Sequence, residues 1–313
     1  MFSKTATLSA PSRSKSVRLL LTGSTGFLGR AVRKAAETAE AITFCATRAS
    51  RGGSPGEIAL GPGPWRRAEF KTAIAATAPD VIIHAAGAIS SPDSATCFEA
   101  NTILAAELLD AIAGISAPPR ILLIGSAAEL GFVPADAQPV AEDFPCAPRT
   151  TYGIAKHAQT LLGVNAAAQG LPVLVVRLFN LVGAGMAGGL ALSSFARRVS
   201  NPAVSAIRVG NLAVARDFID VSEASRILLA LAALPRFPWP LVNLCSGHAW
   251  NLGELLHQMI LVSGRSLSVE PDPALYRPGE QPTLRGDTSR LAGIGLPPKM
   301  PDFTELIPAL LQG

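Results

Sequence analysis

Apolar residues fall along this chain in short unbroken runs, separated by stretches in which they recur every three or four positions. Residues 17–22, 41–46, 80–87, 120–126 and 241–246 are runs of strand length, and a shorter one lies near 57–60. Helical spacing follows in Phe27, Leu28, Ala31, Val32 and Ala35, again around 101–109, and in Ala158, Leu161, Leu162 and Val164. Continuous apolar strands alternating with amphipathic helices predict an α/β fold, a doubly wound parallel sheet buried on both faces. The pattern breaks at Phe179-Asn180 into the glycine-rich 183–189, which predicts departure into a smaller, discontinuous C-terminal substrate-binding domain. The expected organisation is a disordered leader over 1–16 and a dinucleotide-binding domain over 17–180 with a returning segment at 217–250. Residues 181–216 and 251–313 are left for substrate.

The first strand runs directly into Thr22-Gly23-Ser24-Thr25-Gly26-Phe27-Leu28-Gly29. Three glycines at that spacing between a strand and a helix allow a tight turn, a close approach of backbone to a pyrophosphate, and close packing of helix on strand. The helix N-terminus adds unpaired N–H groups and the positive end of its dipole. Gly23, Thr25, Gly26, Phe27 and Leu28 are therefore candidate cofactor residues of a Rossmann-type site. Ala85, Ala86 and Gly87 join them, because small residues at a strand exit let a dinucleotide lie close, and so does Leu60, at the end of the short third strand near 57–60. The second strand ends at Arg48, with Arg51 behind it, where a carboxylate would serve the ribose of NAD. A guanidinium there attracts a 2′-phosphate, so NADP(H) is preferred, with NAD(H) possible. His84, inside an apolar run, is read as a hydrogen-bonded core histidine.

A second constellation carries chemistry. Tyr152 and Lys156 are four apart at the start of a predicted helix and so share a face, while Ser126 closes a buried strand. An ammonium beside a phenol is expected to lower its pKa and bring it toward working pH. Ser126 is then expected to orient a substrate carbonyl, Tyr152 to move the proton, and Lys156 to hold tyrosine and ribose. His157 is placed on the surface.

Together, Thr-Gly-x-x-Gly-Phe-x-Gly, Ser126 and Tyr152-x-x-x-Lys156 resemble the extended short-chain dehydrogenase/reductases. Val176-Arg177-Leu178-Phe179-Asn180, residues 209–221 and residues 277–288 are similar to GDP-mannose dehydratases and GDP-4-keto-6-deoxymannose reductases. The resemblance implies that Asn101 and Phe179 contact the cofactor, Phe179 behind the nicotinamide. It also implies that Asn180, Arg216, Arg277 and Glu280 hold a nucleotide sugar. Dehydratases of this branch follow the active-site Ser/Thr with Asp and Glu, whereas this chain has Ala127 and Ala128. Water elimination then lacks its acid and base, which points to an NADPH-dependent 4-ketoreductase. An NAD-dependent epimerase and an NADP-binding redox regulator are the alternatives.

Composition narrows the setting. Of 313 residues, 49% are hydrophobic and only 5% aromatic, in keeping with small aliphatic side chains between strands and helices. The formal charge of +4 is dispersed, so nucleic acid is not an expected partner. No apolar run has the length of a membrane span. Four scattered cysteines offer no metal-ligand spacing and are expected to be reduced core thiols. The expectation is a cytoplasmic enzyme with no metal and a small nucleotide-sugar substrate. Homodimers are usual in the superfamily, and the helices carrying Asn101 and Tyr152 are the candidate dimer surface.

Overall fold

The computed structural model describes residues 17–39, 41–48, 56–186, 188–276 and 279–312. The expectations for the leader 1–16, for Arg51 and for Arg277 lie outside these residues. The first half of the chain alternates as the hydrophobic pattern predicts. β1 (Arg18–Thr22) leads to α1 (Phe27–Thr38), then β2 (Ile42–Thr47), β3 (Glu57–Ala59), α2 (Arg67–Thr77) and β4 (Val81–His84). After α3 (Ser94–Phe98) and α4 (Leu104–Ile112) come β5 (Arg120–Ser126), α5 (Thr151–Ala168) and β6 (Val173–Leu178). Together with β10 (Leu241–Leu244), these strands form one seven-stranded sheet in the order β10-β6-β5-β4-β1-β2-β3, parallel throughout.

Strand side chains alternate in direction, and here both directions are buried. Leu19, Leu21, Leu122 and Val176 pack on one face with Val32 of α1 and with Ile227 and Leu228 of a later helix. Leu20, Ile82, Leu123 and Val175 pack on the other with Phe70, Leu108 and Ile112. Continuous apolar runs result, because every strand position faces a helix layer. The strand order reverses between β1 and β4, so the carboxyl ends of these two strands open a crevice of the kind that holds ligands in such sheets.

Between α3 and α4 the helix predicted around Asn101 is interrupted by one π turn, Glu99–Ile103. Such widened turns often mark functional positions. Thr102 within it donates to the Ala155 carbonyl at 2.7 Å, tying the turn to α5.

Beyond β6 the chain leaves the large sheet. β7 (Asn180–Val182), α6 (Ala191–Ser200), β8 (Ala206–Val209), β9 (Ala215–Asp220) and α7 (Val221–Ala233) precede β10. β11 (Ala249–Asn251), α8 (Leu252–Ser263), β12 (Ser268–Pro271), β13 (Thr283–Leu284), α9 (Ser289–Gly293) and α10 (Phe303–Leu311) follow it. β9 is the centre of a second sheet, pairing with β7, β11 and β13, while β8 and β12 pair separately. A third core of Phe195, Ile207, Leu255, Met259, Phe303 and Ile307 holds α6, α8 and α10 together. No described helix is long and apolar enough to cross a membrane.

Candidate active site

The glycine turn is shaped by contact rather than by flexibility alone. A Cβ on Gly29 would lie 2.0 Å from the Gly23 carbonyl oxygen, and one on Gly23 would lie 2.6 Å from Ala85 and Ala86 backbone atoms. Gly23 also has φ +73°, a left-handed conformation that suits glycine. α1 begins at Gly26 without a side-chain cap, which leaves its first N–H groups to face an anion. Thr25 and Gly26 are exposed, and Ala85 and Ala86, at the exit of β4, lie against Gly23, with Gly87 following beside Asn101. The cradle fits a dinucleotide pyrophosphate. Arg48 is exposed just past β2 and makes no ion pair among the described residues, and Leu60 is half-buried beside it at the end of β3.

Beneath the turn, Thr22 shares a 2.9 Å hydrogen bond with His84 Nδ1 and accepts one from the Ala86 N–H. His84 is fully buried, and burial together with the Lys156 charge pulls its pKa down to about 3. It is a neutral support residue, as its apolar neighbours imply. Asn101 has a similar part. It is buried, donates to the Ala88 and Cys97 carbonyls at 2.9 Å and accepts from the Ala88 N–H at 3.2 Å. Its amide fixes the 85–88 backbone that borders the cradle.

Ser126 ends β5 and Tyr152 sits in the first turn of α5. Thr150 caps that helix by accepting from the Gly153 N–H at 3.0 Å. Gly153 lets the two elements meet, since a Cβ there would stand 2.4 Å from the Ala128 carbonyl oxygen. The Ser126 hydroxyl therefore lies beside the Tyr152 phenol and opposes the effect of burial, which pushes the phenol above its ordinary pKa.

Lys156 corrects one expectation. It does not lower the Tyr152 pKa; its ammonium turns inward, donating to the Ile124 carbonyl at 2.5 Å and to Gln159 Oε1 at 2.7 Å. The charge that acts on it from nearby is the carboxylate of Glu129, which was not singled out from the sequence. Glu129 is fully buried, accepts from the Ser126 N–H at 2.7 Å and lies 3.5 Å from Arg177 Nε. Burial draws the Lys156 pKa down to about 8, against the opposing pull of Glu129.

His157 is also corrected. It is half-buried, not on the surface, and its Nδ1 points inward. One ligand-type atom each from Glu129, Cys146 and His157 lies within 4.8 Å of the others. The cation among them is the Arg177 guanidinium, with Nη2 3.4 Å from Cys146 Sγ, so the group does not read as a metal site. The signals available in the sequence were an arginine within an apolar strand and a glutamate three residues after the serine.

Phe179 is buried, its ring facing Gly286 and the Cys245 cluster. Asn180 donates to the Asp217 carbonyl at 2.8 Å. Arg216 and Glu280, far apart in sequence, meet at 3.6 Å with both side chains partly exposed. Next to Arg216, the buried Asp217 accepts from the N–H groups of Ser246, Gly247 and Gly286 and from the Ser246 hydroxyl. It thereby locks β9 to the exit of β10 and to the segment after β13.

Comparison with known proteins bears on the family and the fold. The sequence model of the NAD dependent epimerase/dehydratase family matches residues 19–253. A dTDP-6-deoxy-L-talose 4-dehydrogenase (NAD(P)(+)) of Kitasatospora kifunensis is 30% identical over 265 residues, 82% of this chain and 82% of that protein. A GDP-6-deoxy-D-mannose reductase of Pseudomonas aeruginosa is 30% identical over 222 residues, 68% of this chain and 73% of the relative. The solved structure of RMD from Pseudomonas aeruginosa complexed with NADPH superposes with a TM-score of 0.77 at 26% identity, over 95% of this chain and 98% of that one.

Proposed function

The chain belongs to the NAD-dependent epimerase/dehydratase family and is an NAD(P)-dependent oxidoreductase, and from that premise we propose that it reduces the C4 ketone of a nucleotide-linked 4-keto-6-deoxyhexose with NADPH. A GDP-4-keto-6-deoxymannose type of substrate is the first choice. The observation that carries the reading is the Ser126 hydroxyl beside a Tyr152 phenol whose pKa is raised, at the carboxyl end of β5 and without a carboxylate at Ala127 or Ala128. Reduction of a ketone requires a proton donor at the developing alkoxide, and the phenol beside the Ser126 hydroxyl is the group placed to give it.

A dihydronicotinamide held in this cradle would supply the hydride for C4. Ser126 donates a hydrogen bond to the ketone oxygen and fixes its direction. Tyr152 gives its proton to that oxygen as negative charge develops, and is reprotonated from solvent. Lys156 would hold Tyr152 and the ribose. Gly23, Thr25, Gly26, Phe27 and Leu28 carry the pyrophosphate, and Arg48 carries the 2′-phosphate. Leu60 and 85–87 border the adenosine, and Phe179 backs the nicotinamide. Asn180, Arg216 and Glu280, with Arg277, take the sugar nucleotide, guanidinium groups being suited to a diphosphate.

The test is NADPH oxidation by the purified chain on GDP- and dTDP-linked 4-keto-6-deoxyhexoses. Turnover on the GDP sugar supports the full proposal, and turnover on the dTDP sugar alone moves the base assignment to the one named for the Kitasatospora relative. Tightly retained NAD with C4 epimerisation and no consumption of added NADPH overturns it in favour of an epimerase.

A further inference from the structure

We propose that Glu129 is a positioning residue of this site: its carboxylate, anchored by Arg177, is the buried counter-charge of the Lys156 ammonium and the clamp on the Ser126 backbone. The inference rests on the ketoreductase reading only in giving Lys156 and Ser126 their work.

Peptide groups alternate along a strand, so the Ile124 carbonyl and the Ser126 N–H leave β5 toward the same edge. Lys156 takes the first, at 2.5 Å, and Glu129 the second, at 2.7 Å. The two ionised groups are thus brought to neighbouring peptides of one strand. Gln159 completes the frame, donating to the Ile124 carbonyl at 2.9 Å while accepting from Lys156. Lys156 is 5% exposed, Arg177 2%, and Glu129 and Gln159 are fully buried. A lysine that far from water keeps its proton only against a nearby anion.

Among the described residues, the surrounding elements supply no substitute. His84 from β4 faces Lys156 as a neutral ring, and Cys97 from α3 lies toward Tyr152. His157 from α5 and Cys146 border Arg177, both held in their uncharged forms chiefly by burial. Glu142 is engaged elsewhere, accepting from the Asn243 N–H and lying 3.3 Å from Arg290 Nε. Arg177 steadies Glu129 from the opposite side, and its own Nη1 is held by the Glu142 carbonyl and Asn243. Burial raises the Glu129 pKa, with Arg177, the Ser126 N–H, Thr160 and Lys156 opposing it.

The proposal separates charge from shape, and Glu129→Gln tests that separation, because an amide oxygen still accepts from the Ser126 N–H. The measurement is the titration of the Lys156 Nζ by NMR in the full chain with isotope-labelled lysine, assigned with Lys156→Met. The titration is expected to move down by about one pH unit in Glu129→Gln, and the alkaline limb of NADPH oxidation to move with it. A packing role alone would lower stability and leave the lysine where it is. If Glu129→Gln does not fold, the reciprocal coupling is read in Lys156→Met, where the Glu129 carboxyl must titrate higher than in the unaltered chain. An unmoved lysine in the first variant, or an unmoved carboxyl in the second, overturns the proposal. The titration needs no sugar, so a shifted lysine in a protein inactive on 4-keto sugars defeats the substrate assignment and leaves Glu129 its role.

Discussion

At Tyr152, burial wins over the helical neighbour four residues on. The phenol is held protonated by its surroundings while the ammonium is drawn away to Gln159 and Ile124. Tyr152→Phe is expected to cut NADPH oxidation by about 10²–10⁴-fold while leaving NADPH binding, followed by fluorescence, within twofold. Arg48→Ala should weaken NADPH by about tenfold or more and leave NADH nearly unchanged, the loss of one charge-assisted contact to the 2′-phosphate. His84 gives a separate signature in stability. Its folded pKa lies near 3, well below that of the unfolded chain, so the unfolded state binds the extra proton in acid. The stability this residue contributes is whole above about pH 6.5 and falls by up to about 1.4 kcal/mol per unit as pH drops from there toward 3. Denaturant unfolding at pH 7 and pH 5.5 should show a smaller difference in His84→Gln than in the unaltered chain.

Elements show where the amino-acid string speaks plainly and where it does not. The β1–α1 turn was legible because its geometry restricts residue type: with a Cβ 2.0 Å from a carbonyl, position 29 tolerates little else. Gly29→Ala should therefore cost about 1–3 kcal/mol in denaturant unfolding and lower NADPH affinity with it. Ser126, Tyr152 and Lys156 were legible by type and order along the chain. Glu129, Arg177 and the inward His157 were not, since their meaning depends on burial at the junction of β5, β6 and α5, which no local spacing encodes. Asn101 is intermediate: its position could be found, but its grip on Ala88 arises from the π turn, whose widened backbone leaves no mark in residue periodicity.

Across the described residues, three sheets and four apolar cores make up the molecule, and Asp217 is one of the points that join them. Its four hydrogen bonds hold β9, the exit of β10 and the Gly286 segment next to the Arg216–Glu280 pair. Asp217→Ala would strand three buried or half-buried backbone donors and should cost about 3 kcal/mol or more. Proteolysis should then reach the 245–290 region before the seven-stranded sheet. Unbroken apolar runs made the large sheet readable from sequence. The second sheet, built from strands of two to six residues, gave too short a pattern to register.

The uncapped start of α1 has a thermodynamic consequence. No side chain of the described residues answers the helix's first amide protons at Gly26, so the group that answers them best is an anion from solution. Cofactor recognition thereby becomes part of the folding equilibrium itself. NADPH at a hundred times its dissociation constant should raise the unfolding free energy by about 2.7 kcal/mol, and pyrophosphate alone should give a smaller share of the same upward melting shift.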